Sequence, residues 1–343
     1  MEINQNPQLI HHTILKGLAP ARRYHGEQPF AAWQKDARAR VAALLGMDKL
    51  TPAKDDRFVL ESETDCEGYT DYRFLFQSED NYFVPCHLWV PKGKPGKIPM
   101  VICLQGHSTG FHISMGRPKY PGDEKTISGG DRDFAVQIVK EGYCALVIEQ
   151  RNFGECGGTE KGSACFVPAL SALLFGRTTI GERVFDISRA IDVVTKNFSV
   201  IDADAIACMG NSGGGTATIY AATLEERIKV AMPSCALCTY KDSIGAMEHC
   251  TCNFVPGIAN EFDMGDLCGL IAPRSLVVVS GAEDPIFPKH DVAESVEVAK
   301  TYYQAAGVPA RITWVEGAEG HRFYAAISWP VFHQFFDKKG DMQ

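Results

Sequence analysis

Between residues 99 and 315 short apolar runs alternate with helical stretches, and few architectures accommodate that alternation. The runs cover residues 99–104, 145–149, 205–209, 230–233, 275–280 and 310–315, and the helical stretches cover 131–140, 182–196, 214–224 and 291–306. Runs this short and this uniformly apolar suit strands buried on both faces, and the helices between them supply the crossovers that a parallel sheet requires. The expected fold class is therefore α/β, with a mostly parallel central sheet and helices on both faces. Upstream, residues 28–46 carry Phe30, Trp33, Ala37, Val41, Leu44 and Leu45 near a helical period, with Gly46 as the stop. Segments 57–63, 72–77 and 82–90 read as antiparallel lead-in strands. No linker interrupts the chain, so a single domain over 1–343 is expected, with residues 1–90 as an extension packed on a core over 91–343.

Composition removes several function classes. With 45% hydrophobic and 22% charged residues the chain can bury a core, which excludes a disordered tail. A net charge of −8 with no basic run argues against a phosphate-backbone binder, so no nucleic-acid partner is expected. Residues 1–6 are polar and lack the layout of a secretion signal, and no apolar run approaches the ~18–20 residues of a membrane span. The expectation is a soluble, cytoplasmic protein with a small-molecule substrate and no membrane partner; homo-oligomerisation stays open. Of twelve cysteines, Cys103, Cys144 and Cys208 sit inside apolar runs and read as buried reduced thiols.

Gly-x-Ser-x-Gly occurs twice, around Ser108 and around Ser212. A nucleophilic serine of this kind needs a sharp strand-to-helix turn with small neighbours. Ser212 has a strand before it, Gly210, Gly213, Gly214 and Gly215 around it, and a helix after it, whereas glycines and prolines break the stretch after Ser108. Ser212 is thus the expected nucleophile. The segment Gln105-Gly106-His107 ends an upstream parallel strand, where the fold supplies an oxyanion-hole donor. The backbone N–H groups of His107 and Gly213 are the expected pair. A base and its orienter should follow in the order Ser, Asp/Glu, His. Asp284 and His321 lie just past strand ends, 72 residues after Ser212 and a further 37 residues on. His321 would take the serine proton while Asp284 fixes its tautomer.

Together, Gly-Asn-Ser-Gly-Gly, Gly-Ala-Glu-Asp-Pro-Ile-Phe-Pro and Glu-Gly-Ala-Glu-Gly-His resemble the α/β-hydrolase superfamily over roughly residues 60–340. The branch resembled is the dienelactone-hydrolase-like and acetyl-xylan-esterase-like one, similar to prolyl-oligopeptidase catalytic domains. The resemblance implies that Asp284, four residues before Pro288, is the acid rather than Glu283. It also implies that Arg151, in a segment similar to the family's Arg-Gly-Phe-Gly, ties loops together beside the nucleophile. Two departures stand out. Dienelactone hydrolases use a cysteine nucleophile, and the cephalosporin-deacetylase branch carries Arg-Gly-Gln and His-Glu where this chain has Arg151-Asn152-Phe153 and His321-Arg322.

Cys235-x-x-Cys238 and His249-Cys250-Thr251-Cys252 follow the strand at 230–233. Zinc, a disulfide and free thiols are all open, and Cys-x-Cys is a poor second ligand doublet, so reduced thiols walling a pocket are expected. The long connections 107–130 and 152–180 leave strand ends and belong to the active-site side. The expected activity is a serine carboxylic-ester hydrolase acting through an acyl-enzyme on short-chain esters, acetylated carbohydrates among them, with no cofactor. The alternatives are a prolyl-oligopeptidase-like peptidase, whose propeller would not fit in the ~90 residues before the core, and a non-catalytic binding protein on the same fold.

Overall fold

The structure, a computed structural model, describes residues 5–337. The sheet is built from β1 (Val59–Cys66), β2 (Tyr69–Glu79), β3 (Tyr82–Pro91), β4 (Ile98–Leu104), β5 (Cys144–Ile148), β6 (Ile201–Asn211), β7 (Ile228–Ser234), β8 (Ser275–Gly281) and β9 (Ile312–Gly317). Their lateral order is β1-β2-β3-β5-β4-β6-β7-β8-β9. The first three strands form an antiparallel meander joined antiparallel to β5, and β4 through β9 are mutually parallel. The chain reverses direction across the sheet at β4, which lies between β5 and β6. Ligand sites in such sheets lie beyond the carboxyl ends of the strands at that switch.

Helices cover both faces: α1 (Pro7–Gly17), α2 (Phe30–Leu45), α3 (Asp123–Gly129), α4 (Phe134–Lys140), α5 (Phe166–Leu174), α6 (Thr179–Asn197), α7 (Gly213–Leu224), α8 (Ile258–Glu261), α9 (Met264–Gly269), α10 (Lys289–Ala305) and α11 (Ala325–Phe336). Successive strand residues point to opposite sides, and the two cores follow from this. Met100, Ile102 and Leu104 of β4 join Leu276 and Val278 of β8 in a core with α2, α6, α7, α9 and α10. Val101, Cys103, Val277 and Val279 face the other core, closed by Phe134 and Ile138 of α4 and Trp329 and Phe332 of α11. Cys103, Cys144 and Cys208 are fully buried free thiols. The sequence-derived helix over 28–46 is α2, buried through Trp33, Gln34, Ala37, Val41 and Leu45. Among the described residues no helix is long and apolar enough to cross a membrane.

Candidate active site

One residue, Ser212, separates β6 from α7, and its backbone sits at φ 56°, ψ −123°. A non-glycine residue held there costs ~1–3 kcal/mol, and such strain persists only where the surroundings over-determine it. Close approach does that here. A Cβ on Gly214 would stand 2.1 Å from the carbonyl oxygen of Leu104, and one on Gly106 would stand 2.8 Å from that of Asn211. The small residues in both segments let β4, β6 and the first turn of α7 meet, and the Ser212 side chain is lifted toward the strand ends, half-buried.

The loop after β8 positions Asp284. Its Oδ1 accepts the N–H groups of Ile286 (2.9 Å) and Phe287 (3.2 Å), which leaves Oδ2 for Nδ1 of His321 at 2.8 Å. The Asp284 side chain is fully buried. Burial alone would push its carboxyl pKa up, but His321 and the two backbone N–H groups outweigh it and hold the group below the ordinary carboxylate range. Glu283 is exposed, and its N–H pairs with the Glu319 carbonyl at 3.0 Å, so the contact with the imidazole belongs to Asp284. The His321 ring stacks on Phe287, 5.8 Å between centroids and 15° between planes.

The end of β7 lies between the serine and histidine loops. The Ser212 N–H donates to the Ser234 carbonyl at 2.8 Å, and the Cys235 thiol donates to the Arg322 carbonyl at 3.1 Å. The Cys235 sulfur also lies within 4.8 Å of ligand atoms on both Asp284 and His321. Burial first, then the neighbouring carboxylate, pushes this thiol up to about 12, so it is a neutral wall of the site. Ser212 Oγ makes no hydrogen bond with His321 among the described residues; catalytic contacts of this type often tighten only when substrate is present.

His107 follows β4, and its N–H donates to no backbone carbonyl among the described residues. Gly213 opens α7, where the first N–H groups lack intrahelical acceptors and the helix dipole favours negative charge. Beneath this loop Glu149 accepts from Gln105 Nε2 at 2.7 Å and from the N–H groups of Phe111 and Glu155 at 3.2 Å. Burial, partly opposed by those N–H groups, pushes the Glu149 carboxyl from 4.5 up to about 8. The native state therefore keeps a proton that the unfolded chain gives up. The associated stability is full below about 4.5 and is lost as pH rises through about 8. Urea unfolding across that window is expected to show Glu149→Gln missing this component of the decline. Parallel decline in the variant and the unsubstituted chain would contradict it.

Arg151 is held by both oxygens of Asp186 (2.7 and 2.8 Å) and by Glu79 (2.9 Å), and it lies 4.1 Å from the Tyr82 ring centroid. It thus connects the loop after β5 to α6 and to the β2–β3 turn. A cleft of about 790 Å³ is lined by His107, Ser108, Thr109, Asp123, Arg132 and Lys161 among others, with Ser212, Asp284 and His321 outside its lining. Arg132 also donates to the His321 carbonyl at 3.3 Å. The His112–Asp123 pair (2.9 Å) and the Thr109–Asp123 hydrogen bond (2.6 Å) brace the 107–130 segment.

The four cysteines grouped by sequence do not form one cluster. Cys235 lies beside Asp284 and His321, and Cys238 is buried on the α10 side, its carbonyl accepting from Ser295. Cys250 and Cys252 instead meet His107 and Cys165, all four ligand atoms within 4.8 Å of one another. Hydrogen bonds with Cys165 and Cys252, and then the His107 ring, hold the Cys250 thiol far below the ordinary thiol range, while the Cys165 and Cys250 contacts push Cys252 above it. Sequence reading missed Cys165, Arg132 and Arg183 in this neighbourhood. A cysteine inside the long 152–180 connection, on the active-site side, was the available signal for the first.

Known proteins resemble this chain in sequence or in fold. YtaP of Bacillus subtilis (strain 168), proposed to be a hydrolase, is 27% identical over 250 residues, covering 71% of this chain and 79% of its own length. The crystal structure of BF1801 from Bacteroides fragilis NCTC 9343, proposed to be an acetyl xylan esterase, superposes with a TM-score of 0.78 at 17% identity, over 99% of this chain and 91% of the other. A glucuronoyl esterase from Solibacter usitatus gives a TM-score of 0.67 at 16% identity, over 93% and 96% of the two chains. The Abhydrolase family model matches residues 6–313, from the N-terminal helix to the start of β9, and the chain belongs to that family.

Proposed function

We propose that the chain is a serine carboxylic-ester hydrolase that works through an acyl-enzyme on short-chain esters of polar alcohols, acetylated carbohydrates foremost. The observation that carries this reading is the buried Asp284–His321 hydrogen bond beside a serine held at a strained strand-to-helix turn. Asp284 fixes the proton on Nδ1 of His321, so Nε2 is the base. Ser212 Oγ gives its proton to Nε2 and attacks the ester carbonyl. The N–H groups of His107 and Gly213 receive the oxyanion, at the positive end of α7. His321 then protonates the departing alcohol, activates water and releases the acid. Side chains and backbone carry every step.

The cleft supports the substrate class. Its lining is rich in hydroxyl and charged groups and includes the His107 imidazole, which suits a sugar. The apolar residues of the 152–180 connection lie elsewhere: Phe166, Val167, Leu170 and Leu174 of α5 are exposed and line no part of this cleft. Among the structural neighbours are an acetyl xylan esterase from Paenibacillus sp. R4 and the glucuronoyl esterase above. Each extra methylene is worth ~0.8 kcal/mol only where apolar surface covers it. Across p-nitrophenyl esters, kcat/KM is expected to peak at acyl chains of two to about four carbons and to fall by eight. Efficiency that climbs through eight to twelve carbons would overturn the short-chain reading and give α5 a lipid-binding role.

A further inference from the structure

We propose that His107, Cys165, Cys250 and Cys252 form a structural zinc site that fastens together three loops at the carboxyl ends of the strands. The site does not depend on the proposed esterase reading; only its consequence for turnover does.

The first support is geometric. The four ligand atoms lie within 4.8 Å of one another, and His107 Nε2 is 3.1 Å from the Cys252 sulfur. With Zn–S bonds of about 2.3 Å and a Zn–N bond of about 2.0 Å, tetrahedral ligand atoms stand about 3.5–3.8 Å apart, so small shifts, the wider pairs drawing in and His107 Nε2 easing off the Cys252 sulfur, seat the ion. Cys250-x-Cys252 is a poor doublet taken alone. The fold adds a third thiol, at the start of α5, and an imidazole from the loop after β4, which completes the Cys₃His set common in closed zinc sites. Four protein ligands leave no open position, so the ion is structural.

The second support is charge. Arg183 of α6 is fully buried, and its guanidinium donates to the sulfurs of Cys252 (3.4 Å) and Cys165 (3.5 Å) and to the Arg151 carbonyl (2.8 Å). Among the described residues no carboxylate stands within ion-pair distance of it. The guanidinium also lies 4.3 Å from the Phe153 ring centroid, and a cation this deeply buried calls for a compensating negative charge. Zinc binding at neutral His107 releases the three thiol protons to solvent and forms three Zn–S bonds and one Zn–N bond. The resulting centre carries one net negative charge, which matches Arg183. A disulfide within the trio would leave an odd thiol. Cys250 and His107 are only partly buried, which gives the ion a way in.

The site would hold the loop that carries the His107 N–H against the 152–180 and 235–257 connections. The test uses the full chain, purified without chelator and, separately, reduced and reconstituted with Zn²⁺. Elemental analysis is expected to find one zinc per chain that survives dialysis, and X-ray absorption to find three sulfurs at about 2.3 Å and one nitrogen at about 2.0 Å. Cys165→Ser and Cys250→Ser should lose the ion, while Cys238→Ser keeps it. If the serine variants fail to fold, cobalt substitution of the unaltered chain decides: thiolate-to-cobalt charge-transfer bands with strong tetrahedral ligand-field bands support the site, and their absence overturns it. Zinc far below one per chain after reconstitution, or a coordination shell without sulfur, also overturns it. These readouts do not involve turnover, so an inactive protein that holds zinc refutes the esterase reading alone, and an active protein without zinc refutes the metal site alone.

Discussion

Ser212→Ala is expected to lower kcat/KM for a chromogenic acetyl ester by about 10⁴- to 10⁶-fold, with the thermal midpoint nearly unchanged. The size follows from chemistry, because alanine removes the only atom that can form the acyl bond and leaves the oxyanion donors to supply whatever rate remains. Fold stability should not suffer: the Ser212 hydroxyl forms no side-chain hydrogen bond among the described residues, and alanine meets the same backbone strain that serine does. Ser108→Ala is the control. Ser108 lines the cleft, and its hydroxyl is buried without a hydrogen-bond partner, so its loss should leave most activity. Parallel ester assays and melting curves on the two variants check this. Retained turnover in Ser212→Ala with loss in Ser108→Ala would reverse the assignment.

Asp284→Asn is expected to lower kcat by about 10⁴-fold while KM stays close to its original value. Asparagine preserves the shape, and its oxygen can still accept from Ile286 and Phe287, as Oδ1 does now. The amide then presents N–H to the imidazole, which favours a proton on Nε2 and removes the base that Ser212 needs. Glu283→Gln should be mild, since that side chain is exposed and its loop is held through the backbone. Steady-state kinetics on the pair distinguish the two. The opposite ranking would move the acid by one residue and break the account of the β8 loop.

The legible parts of the fold were those where one local rule dominates. Strands β4, β5, β7 and β8 are buried on both faces, so their apolar runs stand out, and sequence boundaries fall within a few residues of the observed ones for these and for the edge strand β9. β6 is the exception, reaching back to Ile201 through exposed Ala203 and Asp204, where no apolar run marks it. Helix α11 escaped notice because Pro330 lies inside it, and a proline there costs a backbone hydrogen bond. Tertiary packing overrides that cost, with Trp329 and Phe332 filling the second core. Helix α1 was missed although Asn6-Pro7 is a good start signal and Leu9, Ile10 and Ile14 are apolar; it is one short helix that buries no residue. The contact between Asp284 and His321 was legible because chain order fixes which strand end follows which. The His107–Cys165–Cys250–Cys252 cluster was not, since its members come from three loops that meet only through the strand order at β4, β5 and β7.

The central claim is that Ser212 is the nucleophile of a covalent mechanism. Treating the active protein with a fluorophosphonate and mapping the modified peptide by mass spectrometry tests it most directly. The account predicts one phosphonyl group per chain, located on Ser212, with labelling abolished in Ser212→Ala and retained in Ser108→Ala. Labelling at Ser108, or ester turnover by a protein that takes up no label, would contradict it.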